Sequence, residues 1–324
     1  MEQNQAELRR GANRIGWSML LYTALLFVFV LGEVLLRVVI AVVIGGGSVF
    51  LDGTVYDVIE GASSSGIGSL SAAVVSVLLL ALIFRKAVPM PAVWKKDRSM
   101  TLLGFGKAFV VFMAFQFVFS LVSLLIEMGL NLFGLTSMEA LNAVSGSSDT
   151  WSMLLYVGIA APFTEEIVYR GFVLRGLAPY GKKMAIILSA ILFGLAHGNI
   201  YQFFYAAAVG LVLGYVSMEF SIWWAIGLHL INNLVFANIW DRVLDLFPAM
   251  VQPILSWGLE AVFFVLAVIV LVCHRGEVAK GLICSKEERS VIRDFFRSDS
   301  IILFTIVQII LAIITFVSLI TPIS

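Results

Sequence analysis

The chain has 324 residues, 60% hydrophobic and only 13% charged, with a mean hydropathy of +1.01, which excludes an ordinary soluble globular protein. Its 21 basic and 21 acidic residues balance to a formal charge of zero, so no nucleic-acid partner is expected. Two cysteines, Cys273 and Cys284, are too few for a disulfide framework and are expected to be reduced thiols.

Apolar runs of about 20 residues recur, long enough to cross a hydrocarbon core of about 30 Å. The expected fold is all-α, a polytopic membrane bundle of about eight or nine transmembrane helices enclosing an intramembrane cavity and bathed in membrane lipids. In chain order the spans are read at about 16–45, 66–84, 102–126, 151–175, 184–203, 204–220, 222–240, 253–273 and 301–320. The first run follows a basic N-terminus as a signal peptide would. Its length of about 30 residues and its lack of a small-residue cleavage pattern favour a retained anchor. Gly45-Gly46-Gly47 and Ser63-Ser64-Ser65-Gly66 read as loop punctuation, and Pro89-Met90-Pro91 as a break.

Basic residues then orient the bundle, because cytoplasmic loops carry the Lys and Arg excess. Arg9, Arg10 and Arg14 precede the first span; Arg85, Lys86, Lys95, Lys96 and Arg98 follow the second; Arg175, Lys182 and Lys183 follow the fourth. The loop 274–300 adds Arg275, Lys280, Lys286, Arg289, Arg293 and Arg297, whereas 46–65 and 128–150 contain no Lys or Arg. The expected topology places the N-terminus in the cytoplasm and the C-terminus outside, with a bacterial plasma membrane as the expected location. Three segments are expected: N-terminal transmembrane helices over 1–149, a functional core over 150–240, and C-terminal helices with a basic cytoplasmic loop over 241–324.

The fourth run contains Glu165-Glu166-Ile167-Val168-Tyr169-Arg170, and ionisable residues at membrane depth mark functional sites by default. Glu166 and Arg170 are four residues apart, on one helix face and in the favourable order for an ion pair. Glu165 points about 100° away with no cation next to it in sequence, which leaves it as the candidate general base. The chain has three histidines. His197 and His229 are read within apolar helices, with Phe193 one turn before the first and Asn233 one turn after the second. His274 reads as an interfacial residue among basic neighbours. Glu33 and Arg37 read as a structural ion pair, and Lys107 and Glu260 receive no role.

Depth supports one cluster. At about 1.5 Å per residue, Glu165 lies about 15 Å from Arg175, His197 about 21 Å from Lys183, and His229 and Asn233 roughly 10–18 Å from the start of their span. Two carboxylates, two imidazoles, an arginine and an amide can therefore share a layer. The chemistry natural to them is water activation by a glutamate hydrogen-bonded to His197, with His229 and Asn233 donating to a developing oxyanion. The parts for a zincin helix or a nucleophile elbow are missing from the sequence.

These residues resemble the CPBP or Abi family of intramembrane proteases, which includes type II CAAX prenyl endopeptidases and bacteriocin-processing or self-immunity proteins. Its Glu-Glu-x-x-x-Arg motif is matched by Glu165, Glu166 and Arg170, its Phe-x-x-x-His by Phe193 and His197, and its His-x-x-x-Asn by His229 and Asn233, in the family's order. The resemblance implies a glutamate-dependent endopeptidase without a cofactor. Glu165 and His197 would activate water, Glu166 and Arg170 would support the site, and His229 and Asn233 would form the oxyanion hole. The implied substrate is a peptide or a membrane-anchored protein, prenylated or not. Two other readings use the same residues: zinc held by Glu165, His197 and His229, and a membrane peptide-binding or immunity protein without catalysis.

Overall fold

The computed structural model describes residues 2–45, 54–139, 141, 150–282 and 285–323. They form a helical bundle. The helices are α1 (Glu2–Gly45), α2 (Thr54–Ser63), α3 (Ile67–Phe84), α4 (Met90–Val93) and α5 (Leu102–Asn131), then α6 over 151–177, α7 (Lys182–Leu195) and α8 (Ile200–Glu219). They continue as α9 (Ile222–Leu244), α10 (Gln252–Cys273), α11 (Arg275–Leu282), α12 (Lys286–Phe295) and α13 (Asp299–Ser318). A short antiparallel pair, β1 (Leu135–Thr136) with β2 (Thr321–Pro322), ties the segment after α5 to the C-terminal residues.

Seven of the described helices are long and apolar enough to span a membrane: α1, α3, α5, α8, α9, α10 and α13. The protein is an integral membrane protein. The runs expected at 151–175 and 184–203 are also helical, but as α6 and the 14-residue α7. α6 carries two glutamates and two arginines, and its stretch from Ile167 to Leu174 is buried at every residue, whereas Trp151, Leu155 and Ile159 nearer its start are exposed. α1 exposes Val28, Leu35, Leu36, Val39, Val43 and Ile44, and α13 exposes Ile310, Ile313, Ile314 and Val317. In water such faces would be a liability; in lipid they need no cover.

Local chemistry sets several helix starts. Thr101 accepts a hydrogen bond from Gly104 N at 3.0 Å and Thr150 one from Met153 N at 3.2 Å. Ser285 and Glu288 form a capping box at the head of α12. The expected break near Pro89-Met90-Pro91 falls between α3 and α5, where the chain forms only the short α4. Within the stretch 46–65, read as a loop, residues 46–53 lie outside the described residues and the remainder holds α2. Residues 140 and 142–149 of the 128–150 loop, and Cys284, likewise lie outside them. Cys273 is an exposed free thiol.

A correction concerns the fifth and sixth spans, read as 184–203 and 204–220. The chain breaks earlier, between Leu195 and Ile200. Gly198 takes a left-handed backbone, φ +56°, which a side chain would disfavour. Asn199 then starts α8 by accepting from Tyr201 N at 2.8 Å and Gln202 N at 3.3 Å. His197 therefore sits in the turn between α7 and α8 rather than inside a helix.

The core lies where α6 meets α3, α7 and α9, with Phe84, Val168, Phe172, Leu188 and Leu228 buried. α1 packs on α3 and α13, while α5 packs on α10 and α8. Glu33 and Arg37 pair at 2.6 Å, as expected. Glu33 also accepts from Gly68 N, and Arg37 donates to Ser65, so the pair fastens α1 to the start of α3. On the side marked by basic residues, Arg175 reaches Asp97 at 3.1 Å and donates to Ser217 O, and Lys182 pairs with Glu219. Burial raises the Asp97 carboxyl, but hydrogen bonds and charge from Lys95 and Arg175 outweigh it and hold Asp97 below the usual carboxylate range.

Candidate active site

α6 is not a uniform α-helix. Tyr156–Ala160 and Ile167–Leu174 are π-helical, on either side of the α-helical turn Ala161–Glu166 that carries the glutamate doublet, and α9 turns π-helical over Ile231–Ile239. π segments inside α-helices concentrate at functional sites because they widen the turn and rotate the side chains that follow.

Glu166 and Arg170 are fully buried and form an ion pair, Nη1 to Oε1, at 3.1 Å. Removed from water, each depends on the other for neutralisation. Arg170 Nη2 also donates to the Gly210 carbonyl of α8 at 3.4 Å, and its guanidinium lies 4.3 Å from the centroid of the Phe193 ring. Gly210 permits this approach. A Cβ there would lie 3.3 Å from Arg170 Nη2 and 3.1 Å from the backbone of Ala190.

The second carboxylate has a different setting. Glu165 keeps part of its surface exposed and lines a cavity of about 490 Å³, together with His197, His229 and Asn233. The doublet thus divides as its spacing predicts, one member sealed against Arg170 and the other facing open space.

The histidines are held from behind. The Nδ1–H of His197 donates to the Phe193 carbonyl at 2.8 Å, a group that can only accept, so in the neutral ring Nε2 carries the lone pair. The Nδ1 of His229 bonds to Glu166 Oε1 at 3.0 Å, and its Nε2 lies 3.9 Å from Glu165 Oε2. The expectation of Glu165 hydrogen-bonded to His197 is therefore not the pairing found. The imidazole within reach of Glu165 is that of His229, while His197 lines the same cavity. Phe193 is common to both rings, meeting each edge-on with centroids at 4.9 Å and 5.8 Å.

Asn233 donates through Nδ2 to Val157 O at 3.0 Å, which links α9 to the first π segment of α6. Its Oδ1 accepts from Asn232, whose own Oδ1 accepts from Gln116 at 3.1 Å and from Tyr205 at 2.9 Å. Sequence reasoning missed Gln116, Tyr205 and Asn232. The only signal was a polar residue inside each apolar run, and no spacing rule joins residues on α5, α8 and α9. His274 was read as interfacial, and it shares a 3.1 Å contact with Lys107, which joins the end of α10 to α5.

The cavity draws on all three expected segments: Phe112 to Ser120 of α5, residues of α6 to α9, and Ser256 to Phe263 of α10. The motif-bearing segment alone does not enclose it. Among the described residues no three His, Cys, Asp or Glu side chains are grouped to hold a metal.

Residues 147–235 match the family model for type II CAAX prenyl endopeptidase Rce1-like proteins. No curated protein and no solved structure matches the chain. The matched segment contains all seven residues of the three motifs. Over residues 147–235, about a quarter of the chain, this integral membrane protein is similar to the type II CAAX prenyl endopeptidase Rce1-like family.

Proposed function

We propose that the chain is a glutamate-dependent intramembrane endopeptidase in which Glu165 activates water against a peptide carbonyl. The observation that carries this reading is the asymmetry of the doublet: Glu165 faces the cavity 3.9 Å from His229 Nε2, while Glu166 is spent on Arg170 and His229 Nδ1. A base needs reach to water and substrate, and of the two glutamates in the doublet only Glu165 lines the cavity.

In the proposed reaction Glu165, with His197 across the cavity, takes a proton from water as its oxygen attacks the carbonyl carbon. The resulting oxyanion accepts hydrogen bonds from Asn233 Nδ2, whose second hydrogen is not used on Val157, and from a protonated His229 Nε2. Preorganised donors of this kind are among the largest catalytic terms. Protonated Glu165 then returns the proton to the leaving amine as the C–N bond breaks. The products are a carboxylate and an ammonium, the proton left on the attacking oxygen passing to the amine as they separate. Glu166 and Arg170 position His229 and do not touch substrate.

The proposed substrate is a peptide or membrane-anchored protein with an apolar stretch, since Phe112, Phe119, Phe236 and Phe263 line the same cavity. The proposed reaction uses no cofactor. The proposed orientation, in a bacterial plasma membrane, has the N-terminus in the cytoplasm and the C-terminus outside. It rests on the Lys and Arg distribution, and reporter fusions at the two termini would test it.

Mapping of peptide termini in membranes carrying wild-type or Glu165→Gln protein tests the activity. New termini should appear with the wild type and fall by orders of magnitude with the variant. Cleavage by Glu165→Gln at the wild-type rate would remove Glu165 as the base. Partner binding that survives in Glu165→Gln, with no new termini in either membrane, would favour a binding or immunity protein.

A further inference from the structure

The wall of the cavity formed by α5 and α10 holds a group that the proposed chemistry does not use. Glu260 lies within the apolar run of α10, outside the matched segment, and lines the cavity with Gln116 and Ser120 of α5. Its Oε2 is sealed from solvent and, among the described residues, has no hydrogen-bond partner. The Ser120 hydroxyl lies beside the carboxyl. An unpaired carboxyl oxygen at membrane depth is costly, and its protein neighbours leave it unsatisfied.

Away from His197 and His229, the ionisable groups that line the cavity are acidic. Glu165, Asp241 and Glu260 line it, and among the described residues no lysine or arginine does. Aromatic walls beside these carboxylates suit a long aliphatic stem that ends in a charge. We propose that Glu260, assisted by Asp241, is a specificity-determining residue that receives a lysine or arginine side chain of the peptide substrate. The proposal rests on reading this cavity as a substrate site.

Binding can be measured apart from hydrolysis, with the full chain carrying Glu165→Gln in lipid nanodiscs. The probes are pools of blocked decapeptides with random apolar positions and one fixed lysine, norleucine or glutamate. In equilibrium dialysis the lysine pool should bind about tenfold or more tighter than the norleucine pool, as expected for a desolvated charge pair. Adding Glu260→Gln should cut that preference to about twofold, and Glu260→Lys should transfer it to the glutamate pool. Unchanged thermal unfolding midpoints would show that the variants fold, and Asp241→Asn, with a smaller loss, serves if they do not. Equal binding of the lysine and norleucine pools, no binding of any pool, or a preference that survives Glu260→Gln would each overturn the proposal. Wild-type cleavage without lysine preference would sink the subsite alone, whereas lysine-selective binding without cleavage would sink the protease reading alone.

Discussion

Glu166 Oε1 lies 3.1 Å from Arg170 Nη1 and 3.0 Å from His229 Nδ1, so one buried carboxylate oxygen ties the helix of the doublet to the helix of the second histidine. Removing it should leave an arginine charge without compensation in the bundle interior. Glu166→Gln is expected to destabilise the protein by about 3–5 kcal/mol. The double variant Glu166→Gln/Arg170→Met should lose less than the single one. Chemical unfolding in detergent reads both, and equal losses would show that the pair is not coupled.

Asn233 is expected to act on rate rather than on substrate affinity. Asn233→Ala should lower kcat by roughly 10²–10³ with little change in KM, the signature of an oxyanion donor. Asn232→Ala touches the neighbouring amide and should have a smaller effect. A rise in KM alone for Asn233→Ala would assign that amide to ground-state binding.

Gly210 gives Arg170 its place on α8. Gly210→Ala puts a Cβ 3.2 Å from the Ala190 side chain and 3.3 Å from Arg170 Nη2. Overpacking of this kind should cost about 1–3 kcal/mol, seen as a lower thermal unfolding midpoint. An unchanged midpoint would mean that α7 and α8 can separate freely at this crossing.

Asp97 sets a small dependence on acid. Its folded pKa lies below its unfolded value of about 3.9, so its contribution is present above that pH and is lost as the pH falls through the folded value. The carboxylate is partly exposed, and the contribution should stay within about 1 kcal/mol. Asp97→Asn should therefore lower stability slightly at pH 7 and leave it unchanged near pH 2. A loss that grows on acidification would contradict this sign.

Chelation separates the proposed reaction from the zinc reading. Cleavage by purified protein should persist after dialysis against 1,10-phenanthroline, because proton transfer by Glu165 requires no metal-bound water. Loss of cleavage that zinc restores would return Glu165, His197 and His229 to the role of ligands.

What could be read from the chain alone was whatever depends on position along one helix. The apolar runs mark the membrane protein, and the four-residue step from Glu166 to Arg170 places them on one face, where they pair. Glu33 and Arg37 follow the same rule. Motif order, too, is a property of the sequence. The break at Gly198-Asn199 was legible in principle, as a glycine before a helix-capping asparagine, but apolar periodicity runs through it. Tertiary structure decided what depends on how helices rotate and cross: that His229 rather than His197 reaches Glu165, that Asn232 collects Gln116 and Tyr205, and that Glu260 faces the cavity instead of lipid. π-helical turns shift side chains away from the regular α spacing on which sequence reasoning relies. The physical reason is that a helix's period fixes neighbours within it, whereas neighbours between helices are selected by packing of the whole bundle.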